Sequence, residues 1–200
     1  MNPKLKVGIL GATGAVGQKF VQILGNHPWF DVTVLAASER SAGKPYGEAT
    51  NWIGSTSIPA HLVDKKVELA APGFDCDFVF SGLDSSVAGT LEKQFAEAGY
   101  PVISNAKNYR MHEAVPLLIP EVNPDHTQLI KKQSWGSGGY IVTNPNCSTV
   151  GLVCALKPLY DAFEIEAVQV TTMQALSGAG YPGVSSLDIL GNVVPSIGGE

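Results

Sequence analysis

Three glycines at three-residue intervals, Gly11, Gly14 and Gly17, follow the apolar run at 5–10 (LKVGIL) and lead into the amphipathic stretch at 18–27 (QKFVQILGNH). A short apolar run ended by glycines and followed by a 3.6-residue period predicts a buried strand, a tight turn and a helix. Without a Cβ at these positions, backbone N–H groups at the helix start can approach a pyrophosphate, whose charge the helix dipole favours. The spacing is G-x-x-G-x-x-G, not the commoner G-x-G-x-x-G. It points to a dinucleotide site, and it also suits a tight strand-to-helix turn that holds no ligand.

The pattern repeats along the chain. Apolar runs at 32–37, 78–80 and 102–104 predict strands, with a helix over 86–98 between the last two. Alternation of this kind predicts an α/β fold, a doubly wound parallel sheet with crossover helices. Residues 40–65, rich in Gly, Pro and Ser, read as a long surface excursion. Runs at 115–120 (VPLLIP) and 139–144 (GYIVTN) predict two more strands with a short helix from Pro124 between them. The sheet is expected to finish near Asn144. Residues 147–160 then read as a helix ended or kinked by Pro158, residues 165–175 as a strand with one polar side, and residues 185–194 as a further helix. Two domains are expected on this reading, a nucleotide-binding one over 1–145 and the start of an α+β domain over 146–200. With no element closing a second core, residues 146–200 are expected to be the front part of a larger domain.

Of the 200 residues, 44% are hydrophobic and 16% charged, which supports a sizeable core and excludes a disordered chain. A net charge of −5 leaves no basic face for nucleic acid. No apolar run approaches the roughly 20 residues of a membrane span, and MNPKLKVGIL lacks a cleavable signal pattern. Three cysteines, an odd and sparse set, suit a reducing compartment. A soluble cytoplasmic protein without a metal site is expected.

Two segments carry chemistry. At the end of the second strand stand Ser38, Glu39, Arg40 and Ser41. A guanidinium fork with hydroxyl donors suits the 2′-phosphate of NADP, whereas an acid such as Glu39 suits the ribose of NAD. NADP is favoured, and a solvated turn with no ligand remains the alternative. At 144–149 (NPNCST), Cys147 lies where a strand gives way to a helix. Its thiol sits in the positive field of the helix start, where a thiolate is favoured. The adjoining N–H groups and the Asn146 amide can receive an oxyanion as that thiolate attacks an acyl carbon. Most cysteines are buried and inert. Cys154, seven residues later, is expected in the core, and Cys76 has no polar constellation around it. No histidine follows Cys147; His27, His61, His112 and His126 all precede it, and His112 and His126 read as surface residues, so the base of such a reaction is not evident.

The motifs GATGAVG (11–17), ASERSAG (37–43), FSGLD (80–84), SNAKNYR (104–110), NPNCST (144–149) and TTMQALSGAGYPGVSSLDILGNVVPSIGGE (171–200) together resemble the N-terminal part of the aspartate-semialdehyde dehydrogenase family, in its fungal and archaeal branch. The resemblance implies a Rossmann-type domain followed by the start of a catalytic and dimerisation domain. It implies NADPH-dependent reduction of aspartyl phosphate to aspartate semialdehyde with release of phosphate, an EC 1.2.1 type activity on the route to lysine, threonine and methionine. A homodimer or homotetramer is implied as well.

On matching positions, Cys147 resembles the residue that forms the acyl-enzyme thioester and Gln174 the glutamine that orients substrate beside it. Gly11, Thr13, Gly14, Ala15, Val16 and Gly17, with Ser38, Arg40 and Ser41, resemble the cofactor cradle, and Ser81, Gly82, Ser177 and Gly178 the flanks of the nicotinamide. Arg110, with Asn105 and Lys107 as helpers, resembles the phosphate ligand, and Glu200 the first acid of the amino-group site. The family's catalytic histidine and its substrate-carboxylate arginine lie downstream of residue 200, so the 200-residue chain by itself is expected to have little or no turnover. A malonyl-CoA reductase of the same fold family, or a non-catalytic NADP-binding module, are the alternatives. N-acetyl-glutamyl-phosphate reductase is more distant, because its cysteine motif differs from NPNCST.

Overall fold

In the computed structural model, which describes residues 3–179 and 183–195, the chain divides into two compact units, the first ending at Glu164 and the second beginning at Ile165. Each is described by itself.

The first unit is built on β1 (Leu5–Leu10), buried from Val7 onward. The glycine turn comes next, then α1 (Ala15–Leu24) and β2 (Phe30–Ala37). Two short helices, α2 (Tyr46–Ala49) and α3 (Ala60–Val63), precede the edge strand β3 (Glu68–Leu69). The second half runs through β4 (Phe78–Ser81), α4 (Ser85–Glu97), β5 (Pro101–Ser104) and β6 (Tyr140–Thr143), and ends in α5 (Cys147–Ala162). All strand pairs are parallel, in the order β3-β2-β1-β4-β5-β6. This is a Rossmann-type doubly wound sheet, and the order reverses between β1 and β4. Ligands of such sheets bind outside the carboxyl ends of the strands at that reversal.

Side chains alternate across the sheet and feed two cores. Val7 and Ile9 join Val21, Leu24, Leu35 and Tyr46 on the α1 side. Leu10, Val79, Val102 and Ile141 join Phe95 and Ala96 of α4 on the other. α4 starts cleanly because Asp84 accepts the Ser86 N–H at 2.9 Å; the Ser86 hydroxyl, donating to the same oxygen at 2.6 Å, and then this N–H hold the Asp84 carboxyl below its ordinary range.

Several sequence expectations for the first unit need correction or narrowing. Residues 115–120 form no strand; their backbone meets the sheet in one isolated parallel bridge, Leu117 to Thr143, beside which the Thr143 hydroxyl donates to the Pro116 carbonyl at 3.0 Å. Pro116 and Pro120 have no N–H to give a ladder, so this apolar run lies along the edge of β6 without extending the sheet. The excursion over 40–65 is not confined to the surface, for Tyr46 and Leu62 are buried in the α1-side core. The Tyr46 hydroxyl donates to the Ala12 carbonyl at 2.8 Å, which ties the excursion to the glycine turn. Pro158 lies inside α5, which runs on to Ala162, so of the two readings, an end or a kink, the end is excluded. Cys154 is exposed, and no side chain of α5 is buried.

In the second unit, residues 165–175 are irregular where the alternation predicts a strand. Alternating side chains make a strand only when a neighbouring strand bonds its backbone, and among the described residues no strand or bridge pairs with 165–175. The unit contains the short 3-10 helix Leu176–Ala179 and α6 (Ser186–Ile189), the latter shorter than the helix expected over 185–194. No helix among the described residues is long and apolar enough to cross a membrane.

Candidate active site at the carboxyl ends of the strands

The glycine turn is shaped by contacts that leave no room for side chains. Gly11 has φ +72°, and a Cβ there would lie 2.8 Å from the Gly82 carbonyl oxygen. A Cβ on Gly17 would lie 2.1 Å from the Gly11 oxygen, and one on Gly82 would lie 2.9 Å from the Gly17 nitrogen. The first turn of α1 is thus pressed against the ends of β1 and β4. The Gly14 N–H donates to the Gly11 carbonyl at 2.9 Å, and Gly14 caps α1 without a side chain. Gly14, Ala15 and Val16 are exposed, and the first turn holds no acid. Unpaired N–H groups and positive dipole together make this helix mouth suited to an anion. Thr13 is half-buried, and its carbonyl accepts from the amide of the buried Gln18 at 3.0 Å. Gln18 also bonds the Asn51 carbonyl and the Ile53 N–H, which fixes the excursion beside the turn.

Ser38, Glu39 and Arg40 are exposed just beyond β2, and Ser41 is buried in the turn they form. Its N–H donates to the Ser38 carbonyl at 2.9 Å. The exposed groups on offer at this strand end are therefore those of Ser38, Glu39 and Arg40.

Ser81, Ser104 and Thr143 are register neighbours at the ends of β4, β5 and β6. Asn105 and Asn144 come directly after the last two, and their side chains meet, Asn144 Nδ2 donating to Asn105 Oδ1 at 3.1 Å. Arg110 Nη2 donates to the Asn105 carbonyl at 2.9 Å. Its Nε is buried with no hydrogen-bond partner, and no carboxylate pairs with it among the described residues. Lys107 is exposed on the intervening turn. Cys147 is exposed at the first position of α5, whose N-cap is Asn146. Asn146 Oδ1 accepts the Thr149 N–H at 2.8 Å, so only the NH2 of that amide is left to donate elsewhere. Cys76 precedes β4 and is half-buried. Burial pushes Cys76 up to about 11, although a hydrogen bond from the Gly8 backbone opposes the shift.

Parallel strand ends thus gather the glycine turn, Gly82, Asn105, Arg110 and Cys147 along one edge of the first unit. Gln174, Ser177 and Gly178 belong to the second unit, where the Gly178 N–H donates to the Ala175 carbonyl at 2.9 Å. Glu200 lies outside the described residues. Among the described residues no cluster of His, Cys, Asp and Glu could hold a metal ion.

One residue of this edge is not evident from motifs. Glu92 of α4 is completely buried, and its Oε1 accepts from the Ser81 hydroxyl at 2.6 Å and the Ser104 hydroxyl at 2.7 Å. The Ser81 hydroxyl is therefore bonded to Glu92, and Gly82 follows directly, packed against Gly17. The available signal was Glu92's place on the buried stripe of Ala88, Phe95 and Ala96. Burial raises the Glu92 pKa above its ordinary 4.5 against the lowering effect of the two serines.

A carboxyl whose pKa is higher folded than unfolded stabilises the fold below its unfolded pKa. It loses that contribution as pH rises through the folded value. Glu92→Gln is expected to melt above wild type at pH 8, with the gap closing toward pH 4; a gap that widens on acidification would contradict a raised pKa. Scanning calorimetry across that range reads it.

Comparison with known proteins points the same way. The profile of the "Semialdehyde dehydrogenase, NAD binding domain" matches residues 6–130, and that of the "Semialdehyde dehydrogenase, dimerisation domain" matches residues 156–200. An aspartate-semialdehyde dehydrogenase of Archaeoglobus fulgidus is 56% identical over 98% of this chain and 58% of its own length. One from Saccharomyces cerevisiae is 49% identical over 100% of the chain and 58% of its own length. The crystal structure of aspartate semialdehyde dehydrogenase with NADP from Candida albicans superposes with a TM-score of 0.86 at 47% identity, covering 98% of this chain and 57% of that one. The chain thus spans somewhat more than half the length of the curated relatives it matches.

Proposed function

Because the chain belongs to the semialdehyde dehydrogenase family, we propose that the whole protein is a cytoplasmic, NADP-dependent aspartate-semialdehyde dehydrogenase. It converts L-aspartyl 4-phosphate to L-aspartate 4-semialdehyde and inorganic phosphate. The observation that carries this reading is the exposed thiol of Cys147 at the capped start of α5, on the same sheet edge as Arg110 and the glycine cradle. Residues 1–145 are read as the NADP-binding domain, and residues 146–200 as the opening of the catalytic and dimerisation domain of a homodimer or homotetramer.

The glycine turn fits a dinucleotide because Gly11, Gly17 and Gly82 leave backbone where a Cβ would stand. Gly11, Thr13, Gly14, Ala15, Val16 and Gly17 would hold the pyrophosphate, Ser38 and Arg40 the 2′-phosphate, and Gly82 with Ser177 and Gly178 the nicotinamide end. When bound, the reduced cofactor supplies the hydride that turns a thioester into an aldehyde. The Cys147 sulfur attacks the acyl carbon; a C–S bond forms as the C–O bond to phosphate breaks, and phosphate leaves. N–H groups of the first turn of α5, with the Asn146 NH2, face the oxyanion of that step. The unpartnered Nε–H of Arg110 suits a phosphate oxygen, with Asn105 and Lys107 as helpers. Gln174 orients the substrate, and Glu200 binds its amino group.

A steady-state assay of the full-length protein with aspartate semialdehyde, inorganic phosphate and NADP tests the proposal. Phosphate-dependent NADPH formation is expected. Activity confined to malonyl-CoA would instead assign the chain to a malonyl-CoA reductase, and no activity with either would leave a binding module.

Cofactor choice has its own test. Replacing Arg40 by Ala removes the planar fork and is expected to lower kcat/KM for NADP by about 10- to 100-fold while changing that for NAD by less than about threefold. Equal losses with both cofactors would remove Arg40 from the 2′-phosphate site.

A further inference from the structure

Two neighbouring strands of the sheet end in serines whose hydroxyls converge on one buried carboxyl oxygen. Ser81 closes β4, Ser104 closes β5, and the two are register partners. Glu92 reaches both from α4, the helix that joins these strands. It lies on the α4 side of the sheet, where Val79, Phe95 and Val102 are fully buried, and among the described residues its second oxygen has no hydrogen-bond partner. Burying a carboxyl this way is unfavourable compared with an apolar side chain of similar size. What the cluster provides is geometry. The Ser104 oxygen also accepts the Ala106 N–H at 3.0 Å, and the Asn105 N–H donates to the Ser81 carbonyl at 3.0 Å. One carboxyl thereby fixes where β4 gives way to Gly82 and where β5 gives way to Asn105. Gly82 is the residue pressed against Gly11 and Gly17.

We propose that Glu92 is a positioning residue for the nicotinamide end of the cofactor crevice: through Ser81 and Ser104 it holds the ends of β4 and β5 from beneath, and with them the Gly82 peptide. This rests on the reading of the crevice as an NADP site. The adenosine end is bounded by the end of β2, to which Glu92 makes no bond, so the two halves of the cofactor report on different strand ends.

The test compares affinities of the full-length protein for NADP and for adenosine 2′,5′-bisphosphate, which lacks the nicotinamide half, by titration calorimetry. Glu92→Leu is expected to weaken NADP about tenfold while leaving the bisphosphate within about twofold of wild type. Glu92→Gln keeps the accepting oxygen and is expected to restore NADP affinity. The double variant Ser81→Ala, Ser104→Ala removes the donors and leaves α4 intact; it is expected to reproduce the Glu92→Leu result, and it decides the question alone should the leucine variant not fold. Unchanged NADP affinity, or parallel loss of both ligands, would overturn the positioning role. Failure of the full-length wild-type protein to bind either ligand would instead refute the NADP reading on which it rests.

Discussion

In the full-length protein, Cys147→Ser is expected to lower kcat/KM by about 10⁴-fold or more, with NADP affinity close to wild type. The size reflects the role: a hydroxyl at the same place is not ionised at neutral pH, and loss of the nucleophile removes the covalent route altogether. The retained affinity reflects position, since the glycine cradle lies at the end of β1 and Cys147 beyond β6, on the far side of β4 and β5. Rapid-quench measurement with aspartate semialdehyde, NADP and phosphate reads turnover, and NADPH fluorescence titration reads binding. Cys76, whose thiol burial holds up to about 11, is a slow internal reference for thiol labelling at pH 7. Undiminished turnover in the serine variant would exclude the thioester.

Gly17→Ala is expected to destabilise the first unit by about 3 kcal/mol or more, or to prevent its accumulation as folded protein. The added methyl would lie 2.1 Å from the Gly11 oxygen and 2.7 Å from the Ala12 Cα, and neither atom belongs to a side chain that can turn away. Gly11 cannot retreat either, because it already abuts Gly82 and accepts the Gly14 N–H. Gly151→Ala supplies the opposite sign. Among the described residues nothing lies within 4 Å of its Cβ position, and it sits inside α5. There alanine is expected to be neutral or stabilising by up to about 1 kcal/mol, through helix propensity and a less flexible unfolded chain. Urea melts of both variants make the comparison. A Gly17→Ala midpoint equal to wild type would mean that α1 does not press on the turn as described.

The features legible in the sequence were those that short-range physics fixes. The glycine spacing after LKVGIL located β1, the turn and α1, because a strand, a positive φ and an amphipathic helix each leave a local mark. NPNCST located the start of α5 for the same reason, with Asn146 as its cap. The features that escaped depended on distant partners. Tyr46 stands in a polar, glycine-rich stretch, and its hydroxyl bonds the Ala12 carbonyl 34 residues away. VPLLIP has the apolarity of a strand, but its prolines lack the donors a ladder requires. The alternation over 165–175 describes side chains, whereas strand formation is decided by which groups receive the backbone bonds. Arg110 was legible as a cation, but its bond to the Asn105 carbonyl was not, because it depends on how the turn after β5 folds back.

The mutual contact of Gly11, Gly17 and Gly82 has a genetic consequence. At ordinary packing defects a neighbouring side chain can be trimmed to make space, and second-site suppressors are common. Here the atoms that would be struck are largely main chain, namely the Gly11 and Gly82 carbonyls and the Gly17 nitrogen, and no codon change elsewhere shortens a peptide bond. Selection for restored growth from an allele carrying alanine at position 17 should therefore return true revertants almost exclusively. The three positions thus constrain one another through main-chain contact, although they lie in two separate stretches of the polypeptide.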